Sequence, residues 1–246
     1  MRFTREDTIV QLTYLPNLFP VNCYLVEEEA ELTLVDTALP NNADAIIQAA
    51  ARIGKPITRI VLTHAHSDHI GALDRLKQQL PEARLFISGR DARLLAGDVS
   101  LDPQEADMPI RGGVPKPGSV AARPDELLHG GERIGSLLAV PAPGHTPGSM
   151  AFMDTRNRIL IVGDAFQTRS KLAVSGHLQP LFPFPALATW DKQTSLHSAK
   201  TLLALKPTLL AAGHGNMIQQ PALAMEQAIA AAGRAFAKQK PNSKGA

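Results

Sequence analysis

Cysteine is almost absent from this 246-residue chain. Cys23 stands alone, which excludes an internal disulfide framework and any thiolate-built metal site. A reducing compartment is compatible with that scarcity. Neither sign of charge prevails: 25 Lys+Arg face 23 Asp+Glu, for a net charge of +2. No basic run forms a stripe for phosphates, so no nucleic-acid partner is expected. Part of the small basic excess falls in the tail, at Lys238, Lys240 and Lys244. No stretch approaches the roughly 20 consecutive apolar residues of a membrane helix. The opening MRFTREDTIVQL is charged within its first seven residues, unlike a secretory signal. A soluble, cytoplasmic protein without a membrane partner is therefore expected. Also missing are the G-x-S-x-G elbow, the G-x-x-x-x-G-K-[ST] phosphate loop and the G-x-G-x-x-G dinucleotide fingerprint.

The hydrophobic fraction, 44%, is that of a globular protein and excludes disorder over most of the chain. The length suits one domain spanning 1–246, built of two αβ halves. Residues 8–15, 22–27 and 31–36 read as short apolar strands. Ala43, Ile46, Ile47, Ala50 and Ile53 then follow helical spacing, with Asn41 or Asn42 as cap and Gly54 as stop. Strands are predicted at 57–63 and 83–88, separated by a helix whose face is Ile70, Leu73, Leu76 and Leu80. Prolines and glycines break any pattern over 97–125, which is read as a lid or mobile insertion and as the seam between the halves. The theme then repeats, with strands at 133–140, 149–154 and 158–163, a Pro- and Phe-rich loop at 165–188, a helix at 190–205, a strand at 208–212 and an Ala-rich helix at 222–237. The tail, 238–246, is expected to fray. This order predicts two β-sheets packed face to face with helices outside.

The chemistry sits at strand ends. After ITRIVLT comes His64-Ala65-His66-Ser67-Asp68-His69, four potential metal ligands within six residues. Neutral imidazole and carboxylate are the donors zinc takes when no thiolate is offered. A strand feeding into a turn points His64 and His66 one way and Asp68 and His69 another. His145, Asp164 and His214 follow three further strands, with glycines beside them that permit close backbone approach. One metal takes three or four protein ligands, so these seven imply two metals sharing a carboxylate. The other histidines read differently: His129 lies in a turn, and His197 lies on a helix face. Cys23 falls in an early strand and is read as buried rather than nucleophilic.

An H-x-H-x-D-H segment followed by distant His, Asp and His, in that order over residues 31–215, resembles the metallo-β-lactamase superfamily. The resemblance implies an α+β fold, the four-layer αββα sandwich. It implies two Zn²⁺, with Fe, Mn or Co tolerated by the same donors. It places His64, His66 and His145 on the first metal and Asp68, His69 and His214 on the second, with Asp164 bridging. Asp36, which ends an early strand, would support the metal loop through hydrogen bonds to the ligands. The implied activity is a hydrolase in which hydroxide held between the metals attacks a small carbonyl substrate. Asp68 is the implied catalytic residue, shuttling the proton to the leaving group.

The superfamily also holds lactonases, thioesterases, ribonucleases, phosphodiesterases and iron enzymes, and fold alone does not choose among them. The segment Gly144-His145-Thr146-Pro147-Gly148 is similar to that of glyoxalase II-type thioesterases, but only 32 residues follow His214, too few for their glutathione-binding helices. Many lactonases place a tyrosine after the bridging aspartate, and 165–188 contains none. The ribonuclease branch shows more basic clustering than this chain. A lactone, ester, thioester or β-lactam is the expected substrate. The alternatives are a phosphodiesterase, a mononuclear iron oxidoreductase of the persulfide dioxygenase type, or a non-catalytic binding protein, which would have lost ligands. Loop 165–188 carries many apolar residues for a connection. Phe166, Arg169, His177, Phe182 and Phe184 are the candidate substrate pocket, and core packing or a homodimer contact is the other use of that apolar character.

Overall fold

Seven strands form the first sheet of the computed structural model, which describes residues 1–238. They are β1 (Arg2–Glu6), β2 (Ile9–Tyr14), β3 (Val21–Glu27), β4 (Leu32–Val35), β5 (Ile57–Val61), β6 (Arg84–Ser88) and β7 (Glu126–Leu128), hydrogen-bonded in that order. β1 to β4 are antiparallel, and β4 to β7 run parallel. The second sheet takes β8 (Arg133–Ile134), β9 (Leu137–Pro141), β10 (Met150–Asp154) and β11 (Ile159–Gly163). After a small hairpin of β12 (Phe166–Gln167) and β13 (Ala173–Val174), it is completed by β14 (Leu209–Ala212) and β15 (Ile218–Gln219). Its order is β15-β14-β11-β10-β9-β8, with β11 and β14 parallel.

Side-chain alternation decides how these sheets pack. Successive strand residues point to opposite faces, and both faces here are apolar. Ile9, Tyr24, Val26, Val35, Val61 and Phe86 meet Leu137, Phe152, Ile159, Ile161 and Leu209 between the sheets. The intervening residues Val10, Leu25, Leu34, Ile60, Leu85 and Ile87 face outward, where they are covered by α1 (Ala43–Ile53), α3 (Leu73–Gln79) and α4 (Gly89–Leu95). Between α1 and α3 lies the single turn α2 (Ser67–Ile70). On the far side, Ala151, Leu160, Val162 and Leu210 pack under α6 (Lys192–Ala204) and α7 (Ala222–Ala237), with α5 (Phe184–Leu187) in the loop before them. Three apolar layers between four structural ones make the αββα sandwich.

Several expectations shift in detail. β1 is invisible to a search for apolar runs because RFTRE is a charged edge strand, the usual defence of an open sheet edge. The helix expected through Ile70 to Leu80 divides into α2 and α3. At Gly71, between them, a Cβ would stand 2.6 Å from the Ala38 carbonyl oxygen, which accepts the Gly71 N–H. Residues 97–125 contain no helix or strand, but β7 rejoins the first sheet after them, so the crossing between sheets falls just beyond Leu128. Cys23 is fully buried in β3, where burial and the neighbouring Asp36 push its thiol well up. Apart from Lys238, the tail expected to fray lies outside the described residues. Among the described residues no helix is long and apolar enough to cross a membrane.

Candidate metal centre

β4, β5 and β6 are parallel, and so are β11 and β14, so the carboxyl ends of neighbouring strands open on one edge. Asp36 follows β4, His64 to His69 follow β5, His145 follows β9, Asp164 follows β11 and His214 follows β14. Potential ligand atoms of three overlapping groups lie within 4.8 Å of one another: His64, His66 and His145; His64, His69 and Asp164; and Asp68, His69 and His214. All five histidines are at most 3% exposed.

Each imidazole is held by one nitrogen from outside the cluster and turns the other inward. His64 Nδ1 donates to Thr63 Oγ1 at 3.0 Å, and that hydroxyl donates to Asp36 Oδ2 at 2.8 Å. His69 Nδ1 donates to the same Asp36 oxygen at 2.7 Å. His66 Nε2 donates to the Arg111 carbonyl at 2.8 Å, and His214 Nδ1 donates to the Pro20 carbonyl at 2.7 Å. His145 Nδ1 meets Ser175 Oγ at 3.0 Å, whose partner Thr189 donates in turn to Pro185 O. These tautomers follow from the partners. They leave His66 Nδ1 and His145 Nε2, both without hydrogen, facing each other at 2.9 Å, an arrangement that favours a cation between them. His64 Nε2, His69 Nε2 and Asp164 Oδ1 are buried without a hydrogen-bond partner. Three such atoms converging within one cluster of donors is the arrangement a bound cation would satisfy.

Asp164 faces both sides. Its carboxylate lies 3.4 Å from His145 Nε2, 3.4 Å from His69 Nε2 and 3.2 Å from His214 Nε2. Asp68 Oδ2 lies 3.4 Å from His214 Nε2, and at 26% side-chain exposure it is the member open to solvent. Electrostatics separates the two halves of the cluster. Burial drives His64 and His66 below the ordinary histidine range and His145 down to about 3, with neighbouring imidazoles adding to the effect. Burial thus favours the neutral form of these three rings, the form in which imidazole binds a metal. At His69 and His214 burial also opposes protonation, but Asp164 and other carboxylates outweigh it and raise both. Burial likewise opposes the Asp164 charge, and His214 and His69 overcome it, holding that carboxyl well below its usual range. A cation bound among these groups would displace the histidine protons.

Asp36 adopts the left-handed backbone region, at φ +61, which aims both carboxylate oxygens at the loop after β5. Its Oδ1 accepts from Thr63 N at 2.8 Å. A non-glycine residue in this region costs about 1–3 kcal/mol and persists where the surroundings fix it. At Gly213 a Cβ would stand 2.3 Å from Asp164 Oδ1, so only glycine lets the chain pass the cluster toward His214.

A cavity of about 410 Å³ opens over the cluster, walled by Phe19, Phe184, Leu187 and Ala188 and floored by Asp68, His145, Asp164 and His214. Of the pocket residues expected from sequence, Phe184 lines it. Phe182 is buried behind the wall, against Phe19 and the His214 ring. The other three are corrections. Phe166 is fully buried in the core under α6 and α7, because β12 turns it inward. Arg169 sends its guanidinium to the Asn17 carbonyl. His177 lines a separate surface groove and lies edge-on to Phe236, its ring pushed down by burial. His129 is an exposed residue at the Gly130-Gly131 turn, and His197 is exposed on α6.

Sequence reasoning missed Phe19 and residues 111–113. The loop taken as a lid also buttresses the centre: Arg111 O holds His66, and Ser67 N donates to Gly113 O at 2.9 Å. Gly112 sits at φ +89, and a Cβ there would stand 2.6 Å from the His66 ring. Gly112→Ala is expected to cost roughly 1–3 kcal/mol through left-handed strain and to weaken metal uptake at His66. Thermal denaturation and metal titration check both, and wild-type behaviour in the two would show the loop to be independent of the cluster.

Comparison with known proteins comes to the same place. The family model described as "Metallo-beta-lactamase superfamily" matches residues 16–214. The uncharacterized protein YobT of Bacillus subtilis is 56% identical over 229 residues, covering 93% of this chain and 97% of its own. The hydroxyacylglutathione hydrolase GloC of Haemophilus influenzae is 27% identical, covering 80% and 87% respectively. Among solved structures, TTHA1623 in a di-iron-bound form superposes with a TM-score of 0.65 at 27% identity, covering 87% of this chain and 96% of that one.

Proposed function

The chain belongs to the metallo-β-lactamase superfamily, and from that premise we propose that it is a dinuclear metal-dependent hydrolase of a small carbonyl substrate. The seven convergent donors, with the Asp164 carboxylate facing both halves, are the observation that carries this reading. One cation takes three or four protein ligands, so this set suits a pair. His64, His66 and His145 would hold the first and Asp68, His69 and His214 the second, with Asp164 between them. Imidazole and carboxylate suit zinc, and they suit iron as well. TTHA1623 binds a di-iron pair, which makes iron the rival.

Bound there, the metals would supply a Lewis acid for the carbonyl oxygen and lower the pKa of water toward neutrality. The rest falls to side chains. Asp36 fixes the His69 ring directly and the His64 ring through Thr63, so the inward nitrogens are aimed before substrate arrives. Asp68 lines the cavity, where its carboxylate accepts the nucleophile's proton and returns it to the leaving group. Phe19, Phe184 and Leu187 exclude water from one side of the reacting carbonyl and receive an apolar substituent. An apolar wall beside two cations favours a lactone, ester, thioester or β-lactam over nucleic acid. GloC is named for a thioester substrate, which supports that member of the set.

A panel of lactones, thioesters, β-lactams and phosphodiesters, assayed with protein of measured metal content, tests the reading. Two metals per chain with turnover of a carbonyl substrate is the expected result. One iron per chain with oxygen consumption, or turnover of phosphodiesters alone, would displace it.

A further inference from the structure

Asp91 takes no part in the chemistry above, yet it is fully buried on α4, 0% exposed. Its carboxylate is shared between two loops from different sheets. Oδ2 accepts from Ala65 N at 2.9 Å and from Thr146 Oγ1 at 2.8 Å. Oδ1 accepts from Gly148 N at 2.9 Å. Ala65 lies between His64 and His66, and Thr146 follows His145. The same carboxylate therefore grips both segments that carry the proposed ligands of the first metal. It makes no hydrogen bond to His69, Asp164 or His214, although His69 lies further along the same turn as Ala65.

The site is built to accept this side chain. Ser88 Oγ caps α4 by accepting from Asp91 N at 3.0 Å, which fixes the residue's own backbone. Gly148 approaches so closely that a Cβ there would stand 2.5 Å from Asp91 N and 2.6 Å from Asp91 Oδ1. Thr146 is locked as well, with its Oγ1 2.7 Å from Ser149 Oγ. All the donors around Asp91 point at an acceptor, so a carboxylate satisfies them and an amide cannot. Burial pushes the Asp91 carboxyl up to about 6, and the hydrogen bonds from Thr146, Ala65 and Gly148 offset only part of that cost.

We infer that Asp91 is a positioning residue for the first metal, a carboxylate clamp that sets the His64–His66 loop against the His145 loop. This rests on the dinuclear reading of the cluster. Residues that orient ligands from outside typically change metal affinity by about 10–100-fold. The effect is selective, because Asp36 and the Pro20 carbonyl, rather than Asp91, hold His69 and His214.

The experiment is cobalt titration of metal-free protein, followed by visible absorption and by elemental analysis after desalting. Asp91→Asn is expected to bind cobalt at the His64–His66–His145 site about 10–100-fold more weakly, with the spectrum of that site altered, and to keep one equivalent at the other site. Asp154→Asn is the control. Asp154 is also 0% exposed, but it ends β10, which runs antiparallel to β9 and β11 and so points to the opposite edge of the sheet. It should lower thermal stability and leave both cobalt sites and their spectrum unchanged. Asp91→Asn protein with wild-type affinities and spectrum overturns the inference. Equal weakening by Asp154→Asn overturns it too, since the effect would then be general destabilisation. If Asp91→Asn does not fold, Thr146→Val removes one donor and should weaken one of the two cobalt sites alone, and wild-type titration there would be decisive against the clamp. Wild-type protein that takes up no cobalt sinks the metal reading itself and the clamp with it.

Discussion

Asp164→Ala protein loaded with zinc will carry fewer than two metals per chain and will lose hydrolysis by more than about 100-fold, beyond what residues merely orienting ligands cost. The size of the effect follows from position. Asp164 is the carboxylate that faces His145 on one side and His69 and His214 on the other. Two divalent cations close together repel, and a shared anion offsets that repulsion at both. Asp164 Oδ1 has no hydrogen-bond partner, so no other structural duty competes with this one. Asp164→Asn separates charge from shape: it keeps the volume and should still lose metal. Elemental analysis beside a rate measurement checks both variants. Full activity at unchanged stoichiometry would refute the bridging role. His129→Ala and His197→Ala serve as references because both rings are exposed away from the cluster. Metal loss in either would mean that the ligands had been miscounted.

Chelation of the purified protein is expected to abolish turnover and lower Tm by about 10 °C. The shift follows from mass action. A ligand bound only to the folded state at a thousand times its Kd stabilises by about 4 kcal/mol. For a chain of this length each kcal/mol moves Tm by roughly 2–4 °C. The folded centre is preformed, since each imidazole is held by a partner in the chain whether or not a cation is bound. Metal-free protein should therefore remain folded at room temperature. Restoring zinc, iron, manganese and cobalt separately, with calorimetry and rate measured for each, then reads which metal the centre uses. An unchanged Tm and unchanged turnover after complete chelation would end the metal account.

Much of this was legible in the linear chain, for identifiable reasons. Continuous apolar runs such as ILIVG and LLAA are local signals, and they are apolar throughout because both faces of each sheet are covered. The candidate donors stood out because metal chemistry uses few residue types and because His64 to His69 crowd into one turn. β1 escaped notice because an edge strand is selected for charge rather than for apolarity. The apolar residues of 165–188 could not be sorted from sequence. Phe166 and Phe184 have the same side chain, but β12 turns one into the core and α5 leaves the other 53% exposed at the cavity wall.

The sequence by itself determined the order of strands and helices that makes the sandwich and singled out seven candidate donors, because hydrophobic period and donor chemistry are properties of side chains in order. Only the tertiary structure decided what holds those donors in place. The Arg111 and Pro20 carbonyls belong to the backbone and have no residue signature. Asp91 meets Ala65 and Thr146 from 26 and 55 residues away. Phe19 reaches the cavity from the opposite end of the chain to Phe184. Hydrogen bonds and cavity walls depend on which segments folding brings together, and no local pattern encodes that distance.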